Sequence, residues 1–114
     1  MAGGTIKKNS YTKITSTGIS GVTANLFDNG LIILDIQAST KTGTEQTWID
    51  IGTITDARLI PSSRVIFMGL DYNTNVSSKI PLVMRLNTNG VLQAYLAIGI
   101  TSVLPYGTTV YTST

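Results

Sequence analysis

Residues 83–95 have the sequence VMRLNTNGVLQAY, in which two apolar runs flank the turn-forming quartet Asn87-Thr88-Asn89-Gly90. An Asn-Gly pair supplies the positive φ angles of a tight hairpin, so the two runs are predicted to pair as antiparallel strands. This hairpin lies within a longer stretch, Trp48 to Tyr111, where short apolar runs alternate with turn signals such as Pro61-Ser62. That stretch decides the fold, and it predicts strands rather than helices.

Working outward from the hairpin, we predict eight strands joined by turns and loops. A second hairpin is expected at Asp28-Asn29-Gly30, and Pro61 marks a corner over residues 56–63. Segments 38–44, 71–78 and 99–107 are predicted to be loops or turns. The predicted strands cover residues 10–17, 22–27, 31–37, 45–55, 64–70, 80–86, 91–98 and 108–113.

Side-chain alternation assigns the faces of these strands, because successive side chains of a strand point to opposite sides. Trp48 and Asp50 are expected on one face of their strand, and Gln93 and Tyr95 on the face of theirs that is opposite to Leu92. Pro81 indicates a strand beginning or an edge. The run 31–36 is apolar on both faces, which predicts either a self-association surface or burial in a closed barrel.

These patterns predict an all-β fold, a small antiparallel β-barrel or jelly-roll-like sandwich of about seven or eight short strands. A length of 114 residues is typical of one domain. We predict a flexible N-terminal lead-in over residues 1–9 and a single β-barrel domain over residues 10–114. No signal peptide is expected at Met1–Thr5, and no apolar run approaches the ~18 residues of a bilayer span, so no membrane insertion is predicted.

The composition excludes several classes of function. Charged residues make up 12% of the chain with a net charge of +2, about half the usual ~25%. Lys7, Lys8 and Lys13 lie near the N-terminus and the other cations are scattered, so no nucleic-acid surface is predicted. Cysteine and histidine are absent, which removes thiolate ligands and the commonest general base. We predict no metal site and no cofactor.

The carboxylates offer a weak case for catalysis. Asp35 and Asp50 could oppose each other on neighbouring strands, and glycoside hydrolysis uses two carboxyl groups. The segment 71–75 has one carboxylate followed by amides, which is a poor calcium loop. We therefore predict a protein that is not an enzyme, with a glycan-processing enzyme that uses Asp35 and Asp50 as an alternative.

Saccharide binding is the chemistry that the polar and aromatic residues favour. Planar hydrogen-bonding groups and aromatic rings hold sugars, and the chain offers the rings of Trp48, Tyr72, Tyr95 and Tyr106 along with polar side chains that include Gln93. The alternative role for Trp48 is a core or subunit-interface aromatic, and the alternative for Arg85 is a surface or interface ion pair. The predicted saccharide-binding residues are Gln37, Trp48, Asp50, Asp71, Tyr72, Asn73, Arg85 and Tyr95.

Over residues 26–113 the sequence resembles the C-terminal head domains of phage tail-fibre and baseplate receptor-binding proteins, those of siphophages of Gram-positive hosts such as lactococci above all. The shared pattern is a Trp, a Gly-Thr-Ile segment, a Pro-Ser corner, a strand with Phe, an Asn-Gly hairpin and a closing Tyr-Thr. Its elements here are Trp48, Gly52-Thr53-Ile54, Arg58-Leu59-Ile60-Pro61-Ser62-Ser63, Val65-Ile66-Phe67, Leu86-Asn87-Thr88-Asn89-Gly90-Val91-Leu92 and Tyr111-Thr112.

The resemblance implies a homotrimeric head in the virion, at the phage tail tip or baseplate, that binds host cell-wall polysaccharide or teichoic-acid components. Other phage tail or baseplate proteins would be its partners. The alternative within the same fold is a structural virion module whose surfaces contact protein alone. Such proteins usually carry an N-terminal shoulder and a repetitive neck ahead of the head, and we expect neither in this sequence. We therefore expect an excised head, a separate accessory protein or a different module.

Overall fold

A computed structural model of the chain describes residues 10–73 and 80–113. In that part, eight strands form one antiparallel sheet that curls into a half-barrel, and two short strands form a separate ribbon. This confirms the predicted all-β fold. The predicted lead-in, residues 1–9, lies outside the described residues. The strands are β1 (Tyr11–Ile14), β2 (Val22–Phe27), β3 (Leu31–Gln37), β4 (Lys41–Thr42), β5 (Thr47–Thr53), β6 (Val65–Asp71), β7 (Ile80–Leu86), β8 (Val91–Leu96), β9 (Ser102–Val103) and β10 (Pro105–Thr112).

The order of strands in the large sheet is β1-β2-β3-β10-β6-β7-β8-β5, and β4 pairs with β9 in the ribbon. The predicted hairpins are present, with Gly30 and Gly90 at positive φ angles of 89° and 87°. The last strand, β10, inserts between β3 and β6, so it joins the two halves of the chain. This places β5 and β1 at the two edges of the sheet.

One face of the sheet, here called the inner face, carries the core. Leu82, Met84 and Leu86 of β7 point inward, as do Leu92, Ala94 and Leu96 of β8. The predicted alternation in the hairpin is therefore confirmed. The opposite side of the sheet, here called the outer face, carries Arg85, Gln93 and their neighbours. The largest fully buried side chains are Ile32, Leu34, Ile36, Ile54, Leu59, Met84, Leu86, Leu92, Leu96, Val22, Val103 and Thr17.

Several predicted boundaries were wrong. Residues 99–107 were expected to be turns but contain β9 and the beginning of β10, and β4 lies in the predicted loop 38–44. The first strand ends at Ile14 rather than Thr17, because the buried Thr17 hydroxyl donates to the carbonyl of Val22 at 2.8 Å and turns the chain. Pro81 is the second residue of β7, in agreement with a strand beginning.

The corner after β5 packs on the inner side of the sheet, where it contacts Tyr111 near the end of β10. Asp56 begins a single 3-10 turn, Ala57–Leu59, and the side-chain hydrogen bond from Arg58 lowers the pKa of the Asp56 carboxyl. Leu59 is fully buried, and its carbonyl accepts a 2.6 Å hydrogen bond from the Tyr111 hydroxyl. Burial raises the pKa of the Tyr111 phenol well above its ordinary value of 10.0.

Residues 10–73 and 80–113 contain no helix with the length and apolar character of a membrane span.

We expect Tyr111→Phe to lower the free energy of unfolding by about 1 kcal/mol, since a buried carbonyl loses its donor. Because the folded-state pKa of Tyr111 is raised, the stability that this hydroxyl contributes is complete below pH ~10 and is lost as the pH rises toward the folded-state pKa. Urea unfolding at pH 7 and pH 11 checks both effects. Tyr11→Phe, at an exposed tyrosine, is the control. It should change neither the free energy of unfolding at pH 7 nor the difference between pH 7 and pH 11. An unchanged midpoint for Tyr111→Phe at pH 7 would contradict the assignment.

Candidate functional site

Four outer-face residues lie side by side across β6, β7, β8 and β5, namely Ile66, Arg85, Gln93 and Asp50. Gln93 is the centre of this row. Its Nε2 donates to Asp50 Oδ1 at 2.8 Å, and its Oε1 accepts from Arg85 Nε at 2.7 Å. The amide is therefore held from both sides, which fixes its orientation and ties three adjacent strands together through side chains.

The row continues to a second arginine through Asn87. The Nδ2 of Asn87 donates to Gln93 Oε1 at 3.0 Å, and its Oδ1 accepts from Arg64 Nε at 2.9 Å. Two amides and two guanidinium groups thus form one continuous chain of hydrogen bonds that ends on a carboxylate. The five residues Asp50, Arg64, Arg85, Asn87 and Gln93 are called the Gln93 network below.

Two aromatic rings flank the Gln93 network. Trp48 and Tyr95 are direct cross-strand partners on β5 and β8, with ring centroids 5.3 Å apart in an edge-to-face arrangement. The guanidinium carbon of Arg85 lies 3.9 Å from the centroid of the Trp48 ring. This cation–π contact, with the hydrogen bond to Gln93, fixes the plane of the Arg85 guanidinium.

The two arginines face an open depression of about 500 Å³. Arg64 and Arg85 both use Nε for contacts within the Gln93 network, and in the described part of the chain neither forms an ion pair. Their terminal Nη groups remain as a planar fork of donors, which suits a carboxylate or phosphate oxygen. The depression is lined by Arg64, Arg85, Asn87, Thr88, Asn89 and Gln93.

A second group of residues meets on the outer face where β10 and β6 diverge. Gln37, Tyr106 and Leu70 are consecutive cross-strand partners on β3, β10 and β6. The rings of Tyr72 and Tyr106 stack with centroids 4.7 Å apart and planes inclined by 8°. They border a groove of about 470 Å³, called the tyrosine groove below, whose lining includes Gln37, Met68, Leu70, Tyr72, Tyr106 and Thr108.

The structure places six of the eight predicted saccharide-binding residues in two groups. Trp48, Asp50, Arg85 and Tyr95 lie together at the Gln93 network, and Gln37 and Tyr72 lie at the tyrosine groove. The other two predicted residues, Asp71 and Asn73, line neither the depression nor the tyrosine groove.

Asp71 is buried at the end of β6, where its Oδ1 accepts from the backbone N–H groups of Asn73 and Leu104 at 3.1 and 2.9 Å. These bonds give its carboxylate a structural role in joining β6 to the segment before β10. Asn73 is half-buried beside it. Thr74 and Asn75, from the weak calcium pattern, lie outside the described residues.

The expectation that Asp35 and Asp50 could oppose each other on neighbouring strands was wrong. Asp35 lies on β3 and Asp50 on β5, and β10, β6, β7 and β8 lie between these two strands in the sheet. Each carboxylate has its own partner, since Asp35 Oδ1 accepts from the Thr108 hydroxyl at 2.7 Å and Asp50 Oδ1 accepts from Gln93. The arrangement does not form the carboxyl pair that the enzyme alternative needs.

Sequence reasoning missed Arg64 and Asn87. A signal for both was present, because Asn87 is two residues after Arg85 and so shares its face of the hairpin. Arg64 precedes Val65, whose cross-strand partner is Leu86, so this register brings Arg64 beside Asn87. What the sequence did not reveal was that β6 and β7 pair in this register.

The chain matches no known protein-family model, and a search of curated proteins finds no match to its sequence. The resemblance to phage head domains therefore stays a prediction that rests on the short motifs quoted above.

The chain has one tryptophan, so the intrinsic fluorescence of Trp48 reports on the Gln93 network. We expect Gln93→Leu to free the Arg85 guanidinium, shift the Trp48 emission and lower the free energy of unfolding by about 1–2 kcal/mol, since several hydrogen bonds are lost. Gln37→Leu, in the tyrosine groove, is the matched control and should leave the emission unchanged. Identical emission spectra for wild type and Gln93→Leu would show that the network does not hold Arg85 on the indole.

Proposed function

We propose that this protein is a non-enzymatic binding module that holds an acidic host cell-surface saccharide at the Gln93 network. The observation that carries the proposal is the pair of guanidinium groups of Arg64 and Arg85. Each is fixed through Nε to an amide of the network, at 2.9 and 2.7 Å, and both side chains line the depression with their Nη donors not used in these bonds. Prearranged donors of this kind bind an oxyanion without the cost of ordering flexible side chains.

The surroundings of the two arginines favour a sugar over a simple anion. Asn87, Thr88 and Asn89 line the same depression with neutral donors and acceptors, which match the hydroxyl groups of a sugar. Trp48, which contacts Arg85, and its partner Tyr95 are half-buried next to the network, and their rings would supply surface for the C–H groups of a pyranose. A carboxylate or phosphate carried on a sugar would use both sets of contacts.

The chemistry of the network supports binding rather than catalysis. It contains one carboxylate, Asp50, whose Oδ1 accepts from Gln93. Glycoside hydrolysis uses a pair of carboxyl groups across the scissile bond, and the network offers no such pair among its five members.

We further propose that the module acts in the virion, as the receptor-binding head of a phage tail tip or baseplate, next to other tail or baseplate proteins. The motif resemblance over residues 26–113 supports this context, and the all-β architecture agrees with it. The rival proposal is a structural virion module. The exposed Ile66 and Met68, at 64% and 59%, favour that rival because protein contacts would cover them.

A titration with acidic polymers tests the proposed function. Glucosylated poly(glycerol phosphate) and hyaluronate both carry acidic and neutral groups, and dextran is the neutral comparison. We expect a saturable change in Trp48 fluorescence with an acidic polymer, and a thermal shift equivalent to about 2.7 kcal/mol at 100 times the dissociation constant.

Arg64→Gln should weaken that binding by about tenfold or more, because a charge-assisted hydrogen bond contributes ~1.5–3 kcal/mol. Arg58→Gln is the matched control, since Arg58 is paired with Asp56 outside the network. Binding that dextran reproduces, or that Arg64→Gln leaves unchanged, would contradict an oxyanion at the arginines. If no polymer binds, the structural module becomes the better proposal.

We also propose a homotrimer, with the outer-face patch of Leu31, Ile33 and Val110 between the copies. Val110 is 54% exposed and is the cross-strand partner of Ile33. Leu31 has Thr112 as its cross-strand partner. This patch extends the apolar strand β3 on the face that the core does not use. The support is that these three apolar side chains are neighbours on the outer face of β3 and β10.

Light scattering tests the trimer. The wild type should have three times the protomer mass at micromolar concentration, and Val110→Lys should shift it toward the monomer by placing a charge in the contact. Ile98→Lys, at a side chain that is 74% exposed in the turn after β8, is the control and should keep the wild-type mass. A monomeric wild type would contradict the proposal.

A further inference from the structure

The tyrosine groove and the Gln93 network lie on one continuous face of the sheet. Ile66 is the cross-strand partner of Arg85, and Leu70, on the same strand β6, is the partner of Tyr106. Leu70 lies four steps along the strand from Ile66, which is about 13 Å at ~3.3 Å per residue. This distance exceeds the width of one sugar ring, so a ligand that touches both places must be a chain of several units.

The surface between the two places is apolar and open. Met68 lies midway along β6 with 59% of its side chain exposed, and its cross-strand partner is the half-buried Val83. Neither of these two positions carries a charged group. Such a surface suits the C–H surface of a glycan, which needs no hydrogen bonds from the protein at every unit.

The chemistry of the tyrosine groove differs from that of the Gln93 network. The stacked Tyr72 and Tyr106 present aromatic surface, and Gln37 and Thr108 present an amide and a hydroxyl. The one charged side chain in the lining is the carboxylate of Asp35, which would repel an anion. The groove therefore suits a neutral sugar, whereas the paired arginines suit an acidic one.

We infer that the tyrosine groove is a second subsite for the same ligand, and that the ligand is an oligosaccharide with an acidic unit at the Gln93 network and a neutral unit at Tyr106, linked across Met68. This inference rests on the proposed function. It adds a requirement for chain length and for alternation of acidic and neutral units. It also assigns positions to Gln37 and Tyr72, which lie apart from the arginines.

The experiment compares one-repeat and four-repeat fragments of glucosylated poly(glycerol phosphate) and of hyaluronate. The wild type should bind the long fragment more tightly than the short one. Tyr106→Ala should weaken binding of the long fragment by about tenfold, the size of one lost contact, and leave the short fragment unchanged. Arg64→Gln should weaken both lengths.

Met68→Glu provides a second variant that does not depend on removing a tyrosine. Its exposed side chain allows the fold to persist, and the new carboxylate should repel the acidic chain and weaken binding of the long fragment alone. Tyr11→Glu, also at an exposed position but on the edge strand β1, is the matched control and should bind like the wild type.

The outcomes separate the two proposals. Equal affinity of the wild type for both lengths, or unchanged long-fragment binding in Tyr106→Ala and Met68→Glu, overturns the second subsite while the proposed function stands. Equal weakening of both lengths by Tyr106→Ala also overturns it, because the groove would then be the primary site. A wild type that binds neither length contradicts the proposed function and this inference together.

Discussion

Gly90 has a φ angle of +87°, and a Cβ atom added there would lie 2.6 Å from the carbonyl oxygen of Ile54. The carbonyl of Gly90 accepts a hydrogen bond from the backbone N–H of Ile54 at 2.8 Å, so the hairpin between β7 and β8 is anchored to the end of β5. A side chain at this position would be strained and would separate the two segments. This contact fixes where the hairpin meets the end of β5, and the arrangement of both faces of the sheet depends on the register of these three strands.

A slip of one residue in that register would exchange the two faces. Leu92, Ala94 and Leu96 would leave the core, and Gln93 would enter it. In the observed register the cross-strand pairs Arg85–Gln93 and Gln93–Asp50 follow automatically, because the residues are direct neighbours on the outer face. The Gln93 network is thus a consequence of how the core is packed, and the hydrogen bonds that complete it add stability to a register that burial has already selected.

How much of this the sequence could predict depends on the range of the interactions involved. The face of Gln93 was predicted correctly because alternation and an Asn-Gly turn are local signals. The separation of Asp35 from Asp50 was not predicted, because it depends on the insertion of β10 between β3 and β6.

That insertion is a pairing between distant parts of the chain, and no local pattern encodes it. It is sterically possible because Gly69 and Gly107 have no side chains where β6 and β10 approach, and an added Cβ on Gly107 would lie 3.1 Å from Gly69 Cα. Asp71 illustrates the same limit. As a loop-edge carboxylate it resembled a ligand-binding residue, but its partner, the N–H of Leu104, is brought to it by the path of the chain into β10.

The position of the Gln93 network in the sheet joins its structural and its proposed functional role. β5 is an edge strand whose ladder partner is β8, and a register shift interrupts that ladder between Asp50 and Gly52. The bond from Gln93 to Asp50 and the contact of Trp48 with Tyr95 hold the strand beside this irregularity. The same contacts orient Arg85, so the side chains that secure the edge are those that would meet a ligand. A site held in this way is rigid before binding, and the free energy of its contacts is then available for affinity and selectivity instead of for ordering the strand.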